Sequence, residues 1–331
     1  MKPAENLIEL VAEPDNLCLA FWKARRGKES RPEVVAYRSR LGENLRQLRL
    51  RLLYGTVEVG RYHTFRIFDP KERIICAADF GERVLHHALM NVCHSHFERF
   101  QIFDSYATRP GKGQYAALDR AKGYTRRYGW FCKMDVRKFF DSIGHERLCL
   151  LLERRFGDAR LMEIFRAIIC SYESAPGRGL PIGHLTSQYF ANFYLAHADH
   201  YIKDRLRVRA YVRYMDDMVF WCDDRAEAVR IAALFRDFIA GELGLALKPL
   251  CINSCTHGLP FLGYVLFPDK VRLRSGSKKR FLRKVKRYDM KLCRGEWSQE
   301  QYSRHIGPLV AFTRYADAAA LRRMAFGTGA D

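Results

Sequence analysis

The sequence predicts an α+β fold, and three observations carry that reading. Helical and strand-like apolar periods are mixed along the chain without the regular strand–helix alternation of a doubly wound sheet. Residues 210–222 read as a β-hairpin, with which the alternation of Tyr211 and Arg213 against Val212 and Tyr214 is consistent. The stretch from about 270 onward is basic and helical. A composition of 48% hydrophobic and 28% charged residues over 331 positions is that of a globular chain with a substantial core.

The elements follow in order. Residues 1–60 read as mostly helical, with "RSRLGENLRQLRLRLL" an amphipathic basic helix. "YHTFRIFDPKERIICAA" reads as two strands around a turn at Asp69-Pro70. "DFGERVLHHALMNVCHSHFERF" has helical periodicity. "WFCKMDVRKFFDSI" begins as a buried strand and ends in a turn, before the helix "HERLCLLLERRF". A Gly/Pro-rich stretch, "SAPGRGLPIGHLTSQ", precedes a long helix through "YFANFYLAHADHYIKDRL". The hairpin then pairs "AYVRY" with "MVFWC" around a tip at Met215-Asp216-Asp217. "EAVRIAALFRDFIAGELG" reads as helix and "LPFLGYVLF" as one strand.

Charge and cysteine usage narrow the function classes. The balance of 57 Lys+Arg against 37 Asp+Glu, a net +20, favours a polyanionic partner. No apolar run approaches the roughly 18 residues of a membrane helix, and the N-terminus lacks a signal-peptide core. Ten cysteines without a CxxC pair argue against a disulfide framework or zinc ribbon. Neither Cys251, Cys255 and His257 nor His86, His87, Cys93, His94 and His96 has the spacing of a closed tetrahedral site. A reduced, cytoplasmic setting is expected.

Two acid pairs behave differently. Asp223-Asp224 precedes a helical pattern and reads as a solvated N-cap. Asp216-Asp217 lies inside "RAYVRYMDDMVFWC", where a carboxylate is costly without a compensating cation. A divalent ion solves that problem. Mg²⁺ takes carboxylate oxygens and shares its shell with phosphates, and two ions about 3.5–4 Å apart can serve an in-line phosphoryl transfer. Such chemistry wants a third carboxylate from a neighbouring strand, and Asp135 at the end of "WFCKMD" supplies it.

At these residues the chain resembles the reverse transcriptases. "YMDD" (214–217) is similar to their catalytic hairpin and "KMDVRKFF" to their first catalytic motif. In the family's order, "DPKERII" and "SYATRPGKG" resemble fingers motifs, and "GLPIGHLTSQYFANFYL" the template- and nucleotide-facing motif. "LGLALKPLC" and "FLGYVL" resemble the later palm motif and the primer grip. The resemblance implies a right-hand polymerase: an N-terminal helical extension (1–60), fingers and an antiparallel palm (61–267), and a basic helical thumb (268–331). It implies metal binding by Asp135, Asp216 and Asp217, with two Mg²⁺ ions for which Mn²⁺ can substitute. Lys71 and Arg73 fall where triphosphate-contacting residues lie, and Phe140 where an aromatic ring gates the ribose 2′-OH. Ile182, Gly183 and Gln188 belong to the template- and nucleotide-facing motif. Lys248 matches a palm lysine near the leaving pyrophosphate. The run 270–287 holds ten Lys/Arg and no acid. There Lys278, Lys279, Arg280, Lys284 and Lys286 are expected along a phosphate backbone, anchored by Phe281 and Val285.

Ile182-Gly183-His184-Leu185-Thr186-Ser187-Gln188 has the [ILV]GxxxSQ form, which resembles diversity-generating retroelement enzymes. These copy RNA into cDNA with errors opposite adenine. That subclass implies dNTPs, a template RNA, an RNA–DNA duplex and a small basic helical accessory protein as partners. The alternatives are an antiviral-defence or retron-like reverse transcriptase and, from another class, a non-catalytic RNA-binding scaffold with the same fold.

Overall fold

The computed structural model describes residues 6–68 and 72–327. Lys71 and the Asp69-Pro70 turn lie outside the described residues. In chain order the elements are α1 (Leu7–Val11), α2 (Pro14–Arg25), α3 (Pro32–Ser39), α4 (Leu41–Tyr54), β1 (Tyr62–Phe68), β2 (Glu72–Ala78), α5 (Phe80–Glu98) and α6 (Gln114–Arg127). They continue with β3 (Trp130–Asp135), α7 (Phe139–Ser142), α8 (His145–Glu153), α9 (Ala159–Cys170), α10 (Leu185–His200), β4 (Ala210–Tyr214) and β5 (Asp217–Cys222). The last are α11 (Arg225–Leu243), β6 (Cys251–Ser254), β7 (Leu259–Phe261), β8 (Tyr264–Leu266), β9 (Val271–Leu273), α12 (Ser275–Cys293), α13 (Gln299–Arg314) and α14 (Ala319–Phe326).

These elements divide into two compact units. The first takes residues up to 110, 136–207 and 234–248. The second takes 111–135, 208–233 and the chain from 249 on.

In the first unit, prolines start α2 and α3 at the first helical turn, where a missing N–H costs nothing. The basic helix expected over 38–53 is two helices, broken at Arg40, whose φ of −121° is not helical. Gly55, at φ 70°, ends α4 in the left-handed conformation that glycine adopts most easily. β1 and β2 pair antiparallel from Tyr62↔Ala78 to Phe68↔Glu72, the two strands expected. Asp158 caps α9 through Leu161 N–H at 3.1 Å, and its other oxygen accepts from Ile8 N–H at 2.8 Å, tying α1 to α9. α10 carries the long predicted helix and runs on into a wider π-type turn at Tyr201–Arg205.

In the second unit, a four-stranded antiparallel sheet has the order β4-β5-β3-β6. β5 reads as a near-continuous apolar run because residues 218–222 are buried on both faces of the sheet. Trp221 of β5 is almost wholly buried, and its indole N–H donates to Thr125 of α6 at 3.2 Å. Asp224 accepts from Glu227 N–H at 2.8 Å at the start of α11, as expected of a helix cap.

A second sheet, β7-β8-β9, corrects one expectation. "LPFLGYVLF" is two strands, because Leu262 (φ 46°) and Gly263 (φ 91°) turn the chain back, the pattern of a type I′ hairpin. β9 adds a strand where helix was expected.

On α12, Phe281, Val285 and Tyr288 form the buried stripe, spaced by four and three residues. Lys278, Lys279 and Lys286 are exposed, while Arg280 and Lys284 are half-buried. α13 begins with a capping box between Ser298 and Gln301.

Candidate active site

The hairpin of the first sheet sets the geometry. Tyr214 pairs with Asp217, so the turn proper is Met215-Asp216 and Asp217 is the first residue of β5. The expected three-residue tip is thus shortened by one. Met215 has φ 53°, the sign that type II′ hairpins require at their first turn residue. A side chain in that conformation costs roughly 1–2 kcal/mol. Arg213, wholly buried, compensates by donating to the Met215 carbonyl at 3.2 Å.

Across the sheet, Asp135 is the direct partner of Asp217 in the β3–β5 register. Two carboxylates therefore face each other across adjacent strands, with Asp216 in the adjoining turn. Like charges directly opposite destabilise a strand pair. The strands' period of two also puts Lys133 on the face of Asp135 and Asp217. Its ammonium lies 3.1 Å from each Asp217 oxygen, donating to Oδ2, and 2.8 Å from the Pro260 carbonyl. Asp217 Oδ1 is buried and makes no hydrogen bond.

Burial pushes the Asp217 carboxyl up to about 6; Lys133 opposes the shift, and Asp135 and Asp216 add to it. These residues fit a divalent cation. They offer only hard oxygen donors, one of them a buried Asp217 oxygen that makes no hydrogen bond, in a cluster of like charges that Lys133 relieves in part. Lys133 and Arg213 contact Asp217 and the Met215 turn, a placement that the sequence reading did not anticipate. The signal for Lys133 was its position two residues before Asp135, on the same strand face.

The other expected site residues of the first unit lie on segments hydrogen-bonded in series. Phe140, half-buried on α7 with its ring 5.6 Å from buried Phe139, accepts from Leu180 N–H at 2.9 Å through its carbonyl. Two residues on, the Ile182 carbonyl accepts from Cys76 N–H of β2 at 2.9 Å. Gly183 has φ 120°, and a Cβ there would stand 2.7 Å from the Cys76 carbonyl, so this strap passes too close to β2 for any other residue. Gln188 is half-buried on α10, and Arg73 is exposed on β2. Lys248, half-buried, follows Leu247, which bridges to Val136; next to it Arg137 N–H donates to the Ala246 carbonyl at 2.7 Å. Lys71 is outside the described residues.

Helices mixed with antiparallel sheets, one sheet carrying three carboxylates at its end, define a polymerase of the right-hand type. Residues 69–266 match the family described as "Reverse transcriptase (RNA-dependent DNA polymerase)", and the chain belongs to that family. It is 24% identical over 153 residues to a COX1/OXI3 intron 2 protein of Saccharomyces cerevisiae, covering 44% of this chain and 17% of that one. It is 28% identical over 106 residues to a 91 kDa protein in a cob intron of Schizosaccharomyces pombe, covering 30% and 13%. The chain thus spans less than a fifth of the length of these two relatives. Protein YkfC of Escherichia coli is 23% identical over 322 residues, covering 81% of this chain and 84% of that one.

Among solved structures, telomerase from Candida albicans in complex with a TWJ fragment of telomeric RNA shares the fold at a TM-score of 0.51. That match has 12% identity and covers 72% of this chain and 52% of that one. An apo telomerase from Candida tropicalis truncated from its C-terminal domain gives 0.51 at 9% identity, covering 68% and 58%. Polymerases of this family use divalent metal ions. Among the described residues, no helix is long and apolar enough to cross a membrane.

Proposed function

We propose that the chain is an RNA-directed DNA polymerase that makes cDNA by nucleotidyl transfer, and that it serves a diversity-generating retroelement. The carrying observation is the register that sets Asp135 opposite Asp217 with Asp216 in the adjoining turn. Two Mg²⁺ ions, when bound, supply the Lewis acidity that stabilises the attacking and leaving oxygens. Asp135, Asp216 and Asp217 hold that charge, and Lys133 limits the repulsion among them. Arg213 keeps the turn, and so Asp216, fixed on a buried hairpin.

The incoming dNTP meets Lys71 and Arg73 at its phosphates through charge-assisted hydrogen bonds. Phe140 excludes a ribose 2′-OH, and Lys248 gives a proton to the departing pyrophosphate. Ile182, Gly183 and Gln188 border the template–nucleotide pair. Lys278, Lys279, Arg280, Lys284 and Lys286 follow the phosphates of the RNA–DNA duplex, within a thumb that begins near 268. The preceding residues 61–267 supply fingers and palm, behind a helical extension of 1–60.

The [ILV]GxxxSQ stretch supports the subclass. With it come a cognate template RNA, a small basic helical accessory protein, a cytoplasmic setting and infidelity opposite adenine. Primer extension on an RNA template with dNTPs and Mg²⁺ tests the reading: the parent extends, and Asp135→Asn does not. Extension by Asp135→Asn at the parent's rate removes the metal assignment.

A further inference from the structure

Within the first unit, three buried side chains that the proposed polymerase chemistry does not use converge from two segments. Glu82 and His86 lie one turn apart on α5, and His184 is the residue between Gly183 and α10. Their fractional exposures are 8%, 1% and 2%. One ligand atom from each lies within 4.8 Å of the other two, and Glu82 Oε1 is 3.5 Å from His86 Nε2. The His86 and His184 rings are 5.0 Å apart between centroids, and Tyr62 meets His184 edge-on at 4.7 Å.

These polar atoms are unsatisfied. Glu82 Oε1, His86 Nε2 and both ring nitrogens of His184 are buried without a hydrogen-bond partner. Each such atom carries a desolvation cost of about 1–3 kcal/mol, and native interiors rarely leave four together. The other Glu82 oxygen is occupied, accepting from Gly60 N–H at 3.0 Å. That bond orients the carboxylate and leaves Oε1 to face His86.

We propose that Glu82, His86 and His184 form a binding site for a borderline transition-metal ion, Zn²⁺ in particular, separate from the three aspartates. Two imidazoles and one carboxylate suit Zn²⁺ and its first-row neighbours, whereas Mg²⁺ prefers an all-oxygen shell. Tetrahedral bonds of the usual length place ligand atoms about 3.3–3.4 Å apart. Glu82 and His86, 3.5 Å apart, are close to that spacing, and His184 closes onto them by at most about 1.5 Å. Ligation needs the neutral imidazole, and burial of His184, with His86 beside it, disfavours the charged form. Glu82 also lines an open cleft of about 320 Å³ with Arg51, Glu58, Arg61 and Asp79. A bound ion crosslinks α5 to the strap carrying Ile182 and Gly183 and so stiffens that strap.

The test uses the full untagged chain. Metal analysis after purification without chelator is expected to find about one Zn²⁺ per chain. The apo chain loaded with Co²⁺ is expected to show the intense visible bands of a tetrahedral site, displaced by Zn²⁺. His184→Gln and His86→Gln are each expected to weaken Zn²⁺ binding by more than about 100-fold, beyond what losing an orienting partner costs. An Asp135→Asn/Asp216→Asn variant keeps the ion. The proposal is overturned if the parent retains no Zn²⁺ and shows no tetrahedral Co²⁺ spectrum, a result independent of whether the variants fold. Undiminished Zn²⁺ in folded His184→Gln overturns it equally.

Discussion

Replacing Asp217 with Asn is expected to stabilise the metal-free protein while abolishing its DNA synthesis. Asp217 ionises near 6, where an ordinary aspartate does so near 3.8. At about 1.4 kcal/mol per pH unit, charge at this position costs the metal-free fold roughly 3 kcal/mol at neutral pH. Asparagine keeps the volume and an acceptor for Lys133 but brings an NH₂ group against the ammonium. The expected net gain is therefore about 1–3 kcal/mol. The sign follows from proton uptake. Between roughly pH 4 and 6 the folded parent binds more protons than the unfolded one, so its stability falls as pH rises through that window.

Urea unfolding in chelator is accordingly expected to show the variant ahead at pH 7.5 and the gap narrowing towards pH 4. Added Mg²⁺ binds only the folded parent and reverses the order. The parent's affinity for Mg²⁺ is expected to weaken as pH falls through about 6, because protons then compete with the ion for the Asp217 carboxylate. An Asn variant no more stable than the parent at pH 7.5 in chelator would refute the picture of a carboxylate held at a cost for a cation.

Phe140→Ala is expected to raise the ratio of ribonucleotide to deoxyribonucleotide incorporation, since a methyl group cannot bar a 2′-OH; an unchanged ratio makes Phe140 a packing residue. Neutralising Lys278, Lys279, Arg280, Lys284 and Lys286 together is expected to flatten the salt dependence of duplex binding by about 0.9 for each phosphate left without its cation; equal slopes make the run a solvated face. Ile182→Gln is expected to lower misincorporation opposite adenine, read by sequencing cDNA from one template. Isoleucine offers only shape, whereas an added hydrogen-bonding group penalises a mismatched pair. Equal error rates place the source of infidelity elsewhere.

The hairpin was legible because two short apolar runs flank an acid pair that is out of place among them. Asp135 was legible from strand period and motif order, but its exact partner was not: register comes from tertiary pairing, and only the structure sets Asp135 opposite Asp217. Arg213 resembles any alternating strand residue in sequence, yet it is wholly buried and braces the turn. The β7–β8 turn was missed because Leu262 adopts a positive φ that leucine rarely takes, so the run reads as one apolar strand. In the sequence His86 groups only with near neighbours that lack the spacing of a closed metal site. Its partner His184 lies on a distant segment, a pairing that no local spacing rule finds.

Primer extension on an RNA template by the parent and Asp216→Asn, with template binding measured on the same samples, tests the central claim most directly. The three-carboxylate site predicts Mg²⁺-dependent dNTP incorporation by the parent. It predicts none by the variant, with RNA affinity unchanged within about twofold because phosphate contacts by Lys and Arg dominate it. No incorporation by the intact parent, or incorporation by Asp216→Asn at the parent's rate, contradicts it.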